Sequence, residues 1–218
     1  MTKRDVAIFG GTFNPVHNGH IDMINYLVDN YIVDEVWVLP SYVSPHKSIT
    51  DIISYEDRVN MLELSTKNIS NTIVNQFEKE FYGKNNDLVD KTYTYEILEA
   101  LKKKYLNCRF HFIVGFDSIK YIHTWHRYKE LIRDYWFYIF DREDDEFKNI
   151  DQKRKYLSNL GKNYGINFIY ELFETKITNI SSTEIRNLLK DIDKNHDELL
   201  KYLNPDVLNY IIDHRLYF

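Results

Sequence analysis

The stretch that decides the fold runs Val6-Ala7-Ile8-Phe9-Gly10-Gly11-Thr12-Phe13-Asn14-Pro15-Val16-His17-Asn18-Gly19-His20. Four apolar residues in a row, 6–9, read as a strand buried on both faces, as in a parallel sheet covered by helices on each side. Gly10 and Gly11 end it, and Ile21, Ile24, Leu27 and Val28 then follow at helical spacing. Of the chain's 7 glycines, Gly10, Gly11 and Gly19 fall within these residues; of its 4 prolines, Pro15, Pro40 and Pro45 lie nearby. Backbone punctuation is therefore concentrated where the first two candidate strands end. Glycine permits close backbone approach to a ligand, so a site is expected there.

Working outward, Glu-Val-Trp-Val-Leu at 35–39 reads as a second strand ending at Pro40. Residues 72–77, 109–114, 135–140 and 167–170 read as further strands. Ser54 with Asp57 three residues on resembles a capping box opening a helix through Val59, Leu62 and Leu64. Helices are also expected over 94–105, around Leu131 and Ile132, and over 152–160. After Ser181 the pattern is entirely helical, with Pro205 at a helix start. The polar stretch 78–91 reads as a loop, and the acidic run 141–146 as a solvated one. Such alternation predicts an α/β fold, a Rossmann-like doubly wound parallel sheet with a C-terminal helical extension. Its ligands are expected beyond the carboxyl ends of the strands. Residues 1–180 form the expected α/β domain, with 181–218 as the helical part of the same domain.

Composition bounds the classes that remain. The 218 residues are 44% hydrophobic, 16% aromatic and 28% charged, which fits an ordinary globular chain and excludes disordered and collagen-like classes. No apolar run approaches the roughly 20 residues a membrane span needs, so no membrane partner is expected. Gly10-Gly11 interrupts the first apolar run too early for a signal peptide. A single cysteine, Cys108, cannot form an intrachain disulfide, which favours a reducing, cytoplasmic compartment. The net charge of −5 argues against a general nucleic-acid binder. Anionic small molecules stay open where cations gather locally, and a homo-oligomer is compatible with the sequence.

Three local patterns carry chemistry. His17 and His20, three apart at a helix start, place two imidazoles on one face beside the positive helix end, suited to anionic oxygens. The same string also reads as packed histidines or a metal pair, although no third ligand or cysteine stands at suitable spacing. Ile180-Ser181-Ser182-Thr183-Glu184-Ile185-Arg186 is an N-cap before an amphipathic helix, or a second anion site completed by the Arg186 guanidinium. Pro45-His46-Lys47 sets a lysine in a rigidified loop at the second strand exit, where a surface lysine is the alternative. Neither a Walker A sequence nor a GxGxxG fingerprint is present.

Taken together, GGTFNPVHNGH and ISSTEIR resemble the signature pair of the nucleotidylyltransferases. The segments Pro40 to Lys47, Thr92-Tyr93-Thr94, Gly115-Phe116-Asp117-Ser118, Thr124-Trp125-His126 and Leu216-Tyr217 are similar to the bacterial-type nicotinate mononucleotide adenylyltransferases in that superfamily. The resemblance implies attack by the 5′-phosphate of nicotinate mononucleotide on the α-phosphorus of ATP, in NAD biosynthesis, with no covalent enzyme intermediate. It assigns His17, His20, Lys47 and Arg186 to the reacting phosphates. Gly10, Gly11, Thr12, Phe13, Gly115, Asp117, Ser181, Ser182 and Thr183 fall to ATP. Thr92, Tyr93, Thr94, Trp125 and His126 fall to the mononucleotide, with Trp125 as stacking face; packing in the core is that residue's other reading. Mg²⁺ is implied to arrive on the ATP phosphates, without a protein metal site. Transfer to another phosphorylated acceptor such as phosphopantetheine, a cytidylyltransferase, and a nucleotide-binding regulator without turnover are the alternatives.

Overall fold

The structure, a computed structural model, describes residues 2–43, 52–83 and 92–218. Pro45, His46 and Lys47 lie outside the described residues, as do 84–91 of the stretch read as a loop. Six strands form one sheet in the order β3-β2-β1-β4-β5-β6. They are β1 (Arg4–Gly11), β2 (Glu35–Pro40), β3 (Thr72–Val74), β4 (Cys108–Gly115), β5 (Trp136–Phe140) and β6 (Tyr170–Phe173). The sheet is parallel, with Val6 opposite Phe110, Trp37 opposite Ile73, Ile113 opposite Tyr138 and Ile139 opposite Leu172. The expected Rossmann-like winding is thus present. In this order the winding reverses between β1 and β4, whose carboxyl ends are the glycines Gly11 and Gly115.

Two compact units make up the chain. One comprises Met1–Gly10 and Tyr93–Lys176, the other Gly11–Thr92 and Ile177–Phe218. The first holds β4 to β6 with α4 (Thr94–Lys104), α5 (Phe116–Ile119), α6 (Tyr128–Asp134) and α7 (Ile150–Lys162). Its core is aromatic: Phe116, Phe137 and Phe140 are fully buried, and Val6, Ala7 and Ile8 of β1 are inaccessible to solvent. The second holds β2 and β3 with α1 (Asn18–Asp29), α2 (Tyr55–Thr66), α3 (Phe77–Gly83), α8 (Ser182–Leu189), α9 (Ile192–Tyr202) and α10 (Pro205–Asp213). Ser54 caps α2 by accepting the Asp57 N–H, and Pro205 opens α10, both as the sequence predicts.

Three expectations need correction. The third strand stops at Val74, because the Asn75 side chain accepts the Phe77 N–H and turns the chain into α3. Residues 77–83 of the predicted strand end and loop are therefore helical. The last strand begins at Tyr170, three residues later than the apolar pattern suggests. Phe168 packs on Gly161 and the Phe137 ring, so residues 166–168 belong to the turn after α7. The acidic run 141–146 is irregular but only partly solvated. Asp141 pairs with Lys153 at 2.5 Å and Asp144 with Lys120 at 2.6 Å, which buries the Asp144 side chain.

On the first unit, Asp5 of β1 accepts from Arg109 at 2.5 and 2.6 Å and lies 2.7 Å from His111 Nε2. The Arg109 hydrogen bonds, opposed by burial and assisted by His111, hold the Asp5 carboxyl down at about 2. The folded pKa lies below the unfolded one, so this contribution to stability is complete above about pH 4 and is lost as pH falls toward 2. Asp5→Asn should therefore lower the urea midpoint at pH 7 and converge on the parent near pH 2. Equal pH dependence of the two midpoints would remove Asp5 from acid stability.

Candidate active site

The β1–α1 turn is built around two histidines. His17 is the N-cap of α1, in extended conformation at φ −147°, ψ 168°, and is buried. His20, third in the helix, accepts the His17 backbone N–H on Nδ1 at 3.2 Å. The two rings stack with centroids 3.7 Å apart, and Phe13 meets His20 edge-on at 5.0 Å. Because Nδ1 of His20 is the acceptor, its neutral form carries the proton on Nε2, a donor suited to an anionic oxygen. Both imidazoles stand at the positive end of a 12-residue helix. Gly19 between them is sterically required, since a Cβ there would lie 2.5 Å from the Thr178 carbonyl oxygen. Asp22 fixes that neighbouring strand of chain by accepting from both the Thr178 N–H and its hydroxyl.

The turn itself is conformationally costly. Phe13 sits at φ 49°, in the left-handed region that a non-glycine residue seldom occupies. Guanidinium groups hold it there. Arg58 of α2 donates to the Thr12 carbonyl (2.8 Å) and the Ser41 carbonyl (2.9 Å), joining the exits of β1 and β2. Arg186 of α8 donates to the Asn14 carbonyl (2.8 Å) and the Thr183 hydroxyl (3.1 Å). The Ser41 N–H adds a bond to the Gly11 carbonyl (2.8 Å).

The hydroxyl cluster of ISSTEIR forms the start of α8. Ser181 and Glu184 make a reciprocal capping box, while the Ser182 hydroxyl donates to the Pro15 carbonyl at 2.9 Å. The N-cap reading is thus realised, and each of the three hydroxyls has a partner within the chain. The structure therefore brings His17, His20, Ser181, Ser182, Thr183 and Arg186 to one turn of the second unit, together with Gly11, Thr12 and Phe13.

Sequence reasoning missed Arg58, which is buried, and Asn14, whose side chain is also buried. Burial lowers the Arg58 pKa from its ordinary value, although the guanidinium remains charged. Its signal is a charged residue at helical spacing between the apolar Tyr55 and Leu62, all three of which are buried. Glu78 falls in the stretch whose polarity predicts a loop, yet its buried carboxylate accepts the Tyr42 N–H at 3.0 Å. Burial pushes the Glu78 pKa up to about 7, against the opposing pull of that hydrogen bond. Thr92 is buried close by, with its N–H and its hydroxyl both donating to the Val43 carbonyl.

The family model for cytidylyltransferase-like proteins matches residues 8–188. A Caldicellulosiruptor saccharolyticus protein named "probable nicotinate-nucleotide adenylyltransferase" is 33% identical over 97% of this chain and 98% of its own length. A Flavobacterium johnsoniae protein of the same name is 30% identical over 98% of each. The solved Plasmodium falciparum nicotinic acid mononucleotide adenylyltransferase shares the fold, at TM-score 0.77 and 24% identity over 98% of this chain and 97% of its own. The chain belongs to the cytidylyltransferase-like family, in its nicotinate-nucleotide adenylyltransferase branch.

The remaining described residues singled out for this transferase lie in the first unit, apart from Thr92; Lys47 lies outside the described residues. Gly10 leaves room for a side chain, with Phe112 3.5 Å from a Cβ placed there, so it is not sterically forced. A Cβ at Gly115 would lie 2.3 Å from the Asp117 carboxylate and 2.9 Å from the Arg142 side chain, so both side chains would have to move aside for any larger residue. Asp117, in the first turn of α5, faces Arg142 of the irregular 141–146 segment at 3.6 Å. Thr94 opens α4 behind the N-cap Tyr93. The Tyr93 ring lies 4.4 Å from that of His126, whose Nε2 is 3.7 Å from Glu96. Trp125 is half-buried, meeting Phe112 edge-on at 5.9 Å, and so is not a core residue.

Gly19→Ala should cost about 1–3 kcal/mol through overpacking against Thr178. For a chain of this size that corresponds to a drop of several degrees in Tm. A thermal scan showing no change would mean the 178 segment yields freely.

Proposed function

We propose that this enzyme transfers the adenylyl group of ATP to nicotinate mononucleotide, giving deamido-NAD and pyrophosphate in NAD biosynthesis. The observation that carries the reading is the convergence of two imidazoles and a guanidinium, distant in sequence, on one helix-start turn. That arrangement suits a polyanion whose charge shifts during reaction. Adenylyl transfer needs a phosphate nucleophile, an in-line approach and stabilisation of the pyrophosphate that leaves. His20 donates from Nε2 to an ATP phosphate oxygen, while His17 supports its ring from beneath. Arg186 stands one helical turn into α8 and stabilises the leaving pyrophosphate. Lys47 is assigned a phosphate on the family resemblance alone. Gly10, Gly11, Thr12 and Phe13 line the nucleotide. Ser181, Ser182 and Thr183 shape the α8 start that faces the triphosphate. Gly115 and Asp117 serve the ribose of ATP.

The acceptor is bound by different means. Trp125 offers its ring face to the pyridine. The α4 start at Thr94, with Thr92, Tyr93 and His126, offers dipoles to the ring carboxylate. Among the described residues, no three His, Cys, Asp or Glu side chains gather closely enough to hold a metal ion themselves. A donor set of imidazole, guanidinium and hydroxyl groups fits Mg²⁺ carried on ATP phosphates. When bound, the ion neutralises part of the triphosphate charge. No helix among the described residues is long and apolar enough to cross a membrane.

The reading is tested by measuring pyrophosphate release across phosphorylated acceptors, with ATP and with CTP. Nicotinate mononucleotide with ATP should be the best pair. Turnover with phosphopantetheine or CTP alone would move the enzyme to another branch, and ATP binding without any turnover would make it a regulator. His20→Ala should lower kcat at least ~100-fold, because its contact strengthens as charge develops in the transition state. A change confined to the KM for ATP would assign His20 to ground-state binding instead.

A further inference from the structure

The segment following α10 reaches back to the turn that holds the phosphate-gripping residues. Helix α10 ends in a Schellman motif, with the Leu216 N–H donating to the Ile211 carbonyl at 3.0 Å and the Arg215 N–H to Ile212 at 3.1 Å. The residue that adopts the left-handed turn there is Arg215, at φ 50°, and Tyr217 follows at φ 70°. Glycine is the usual choice at such positions, and two larger residues in this region cost about 1–3 kcal/mol each. What the two turns achieve is placement: the Tyr217 hydroxyl donates to the Asn14 side-chain oxygen at 2.9 Å. The same oxygen accepts the Ile53 N–H at 3.4 Å, and the Asn14 carbonyl is the acceptor for Arg186. Helix α10 is itself pinned to α2, since the Tyr210 hydroxyl donates to Asp57 at 2.8 Å and Lys67 pairs with Asp206.

We infer that Tyr217 is a positioning residue for adenylyl transfer, acting through Asn14 to hold the Arg186 guanidinium where it meets the triphosphate. The inference rests on the function proposed above. A buried hydroxyl needs an acceptor, and the one that Tyr217 takes lies inside the signature turn, on the residue whose carbonyl holds Arg186. Tyr217 instead completes a chain of contacts from its ring oxygen through Asn14 to the Arg186 fork. The Arg58 and Arg186 guanidiniums both lie within electrostatic reach of the Tyr217 hydroxyl, and burial raises its pKa, so it stays protonated as a donor.

The test compares the parent protein with Tyr217→Phe, Asn14→Ala and the double variant. Mg-ATP affinity is measured by calorimetry, together with kcat and both KM values for nicotinate mononucleotide and ATP. Thermal scans run in parallel. Tyr217→Phe should weaken ATP binding and lower kcat/KM for ATP about three- to tenfold, the worth of one buried hydrogen bond. The KM for the mononucleotide should stay within about twofold of the parent. In the Asn14→Ala background the Tyr217 change should cost nothing further. Three results would overturn the inference: unchanged ATP parameters in Tyr217→Phe with only Tm lowered, equal loss on both substrates, or additive losses in the double variant. If the parent binds ATP but does not turn over nicotinate mononucleotide, the proposed function fails, while calorimetry still decides the role of Tyr217. A parent that binds no ATP would overturn both.

Discussion

Alternate carbonyls of one turn, those of Thr12 and Asn14, are each gripped by an arginine from a different helix. The turn needs that grip. It carries Phe13 in a left-handed conformation, which costs about 1–3 kcal/mol when nothing compensates. A hydrogen bond from a charged donor contributes about 1.5–3 kcal/mol. Two such arginines therefore suffice to hold the turn, and one is close to the limit. This also explains why a buried arginine is tolerated on α2: Arg58 replaces its lost water with the Thr12 and Ser41 carbonyls.

The grip makes three distant parts of the sequence interdependent. Helix α2 contributes Arg58, α8 contributes Arg186, and the segment after α10 contributes Tyr217, all converging on residues 12–14. Gly19 admits the 178 segment to the base of α1, and the Ser182 hydroxyl reaches Pro15, so the start of α8 is carried to the same place. The histidine pair is thus one layer of a site whose other layers lie far along the chain.

Different parts of this arrangement were legible in the sequence to different degrees, for physical reasons. The parallel sheet was readable because its strands are buried on both faces and therefore spell continuous apolar runs, such as 6–9 and 137–140. The helix starts at Ser54, Ser181 and Pro205 were readable because capping depends on local chemistry. Helix α3 was not, since Phe-Glu-Lys-Glu-Phe-Tyr-Gly looks like a polar connection and its start depends on the Asn75 side chain. The start of β6 was misplaced because Ile166 and Phe168 are apolar for the sake of a turn rather than a strand. Of the site, the histidine pair, the α8 start and Arg186 were legible as motifs. Arg58 was not, and Asn14 and Tyr217, although inside the segments GGTFNPVHNGH and Leu216-Tyr217, showed no role there, because each works through a main-chain or amide contact that only tertiary structure creates.

These contacts also constrain how charge is distributed over any bound triphosphate. The hydroxyls of Ser181 and Ser182 are engaged with Glu184 and Pro15, and Arg58 with two carbonyls. None of them can turn toward a phosphate without releasing a bond that shapes the turn. Arg186 differs, since it is only half-buried and one of its two contacts is with the mobile type of partner, the Thr183 hydroxyl. In the proposed reaction, exchanging that contact for a phosphate oxygen would leave the Asn14 carbonyl bond in place and the guanidinium anchored. His20 is similarly divided, with Nδ1 fixed by the His17 N–H and Nε2 directed by that bond. A group held at one end loses little conformational freedom on meeting a ligand, and this is the condition for its charge to act in a transition state rather than in reorganisation.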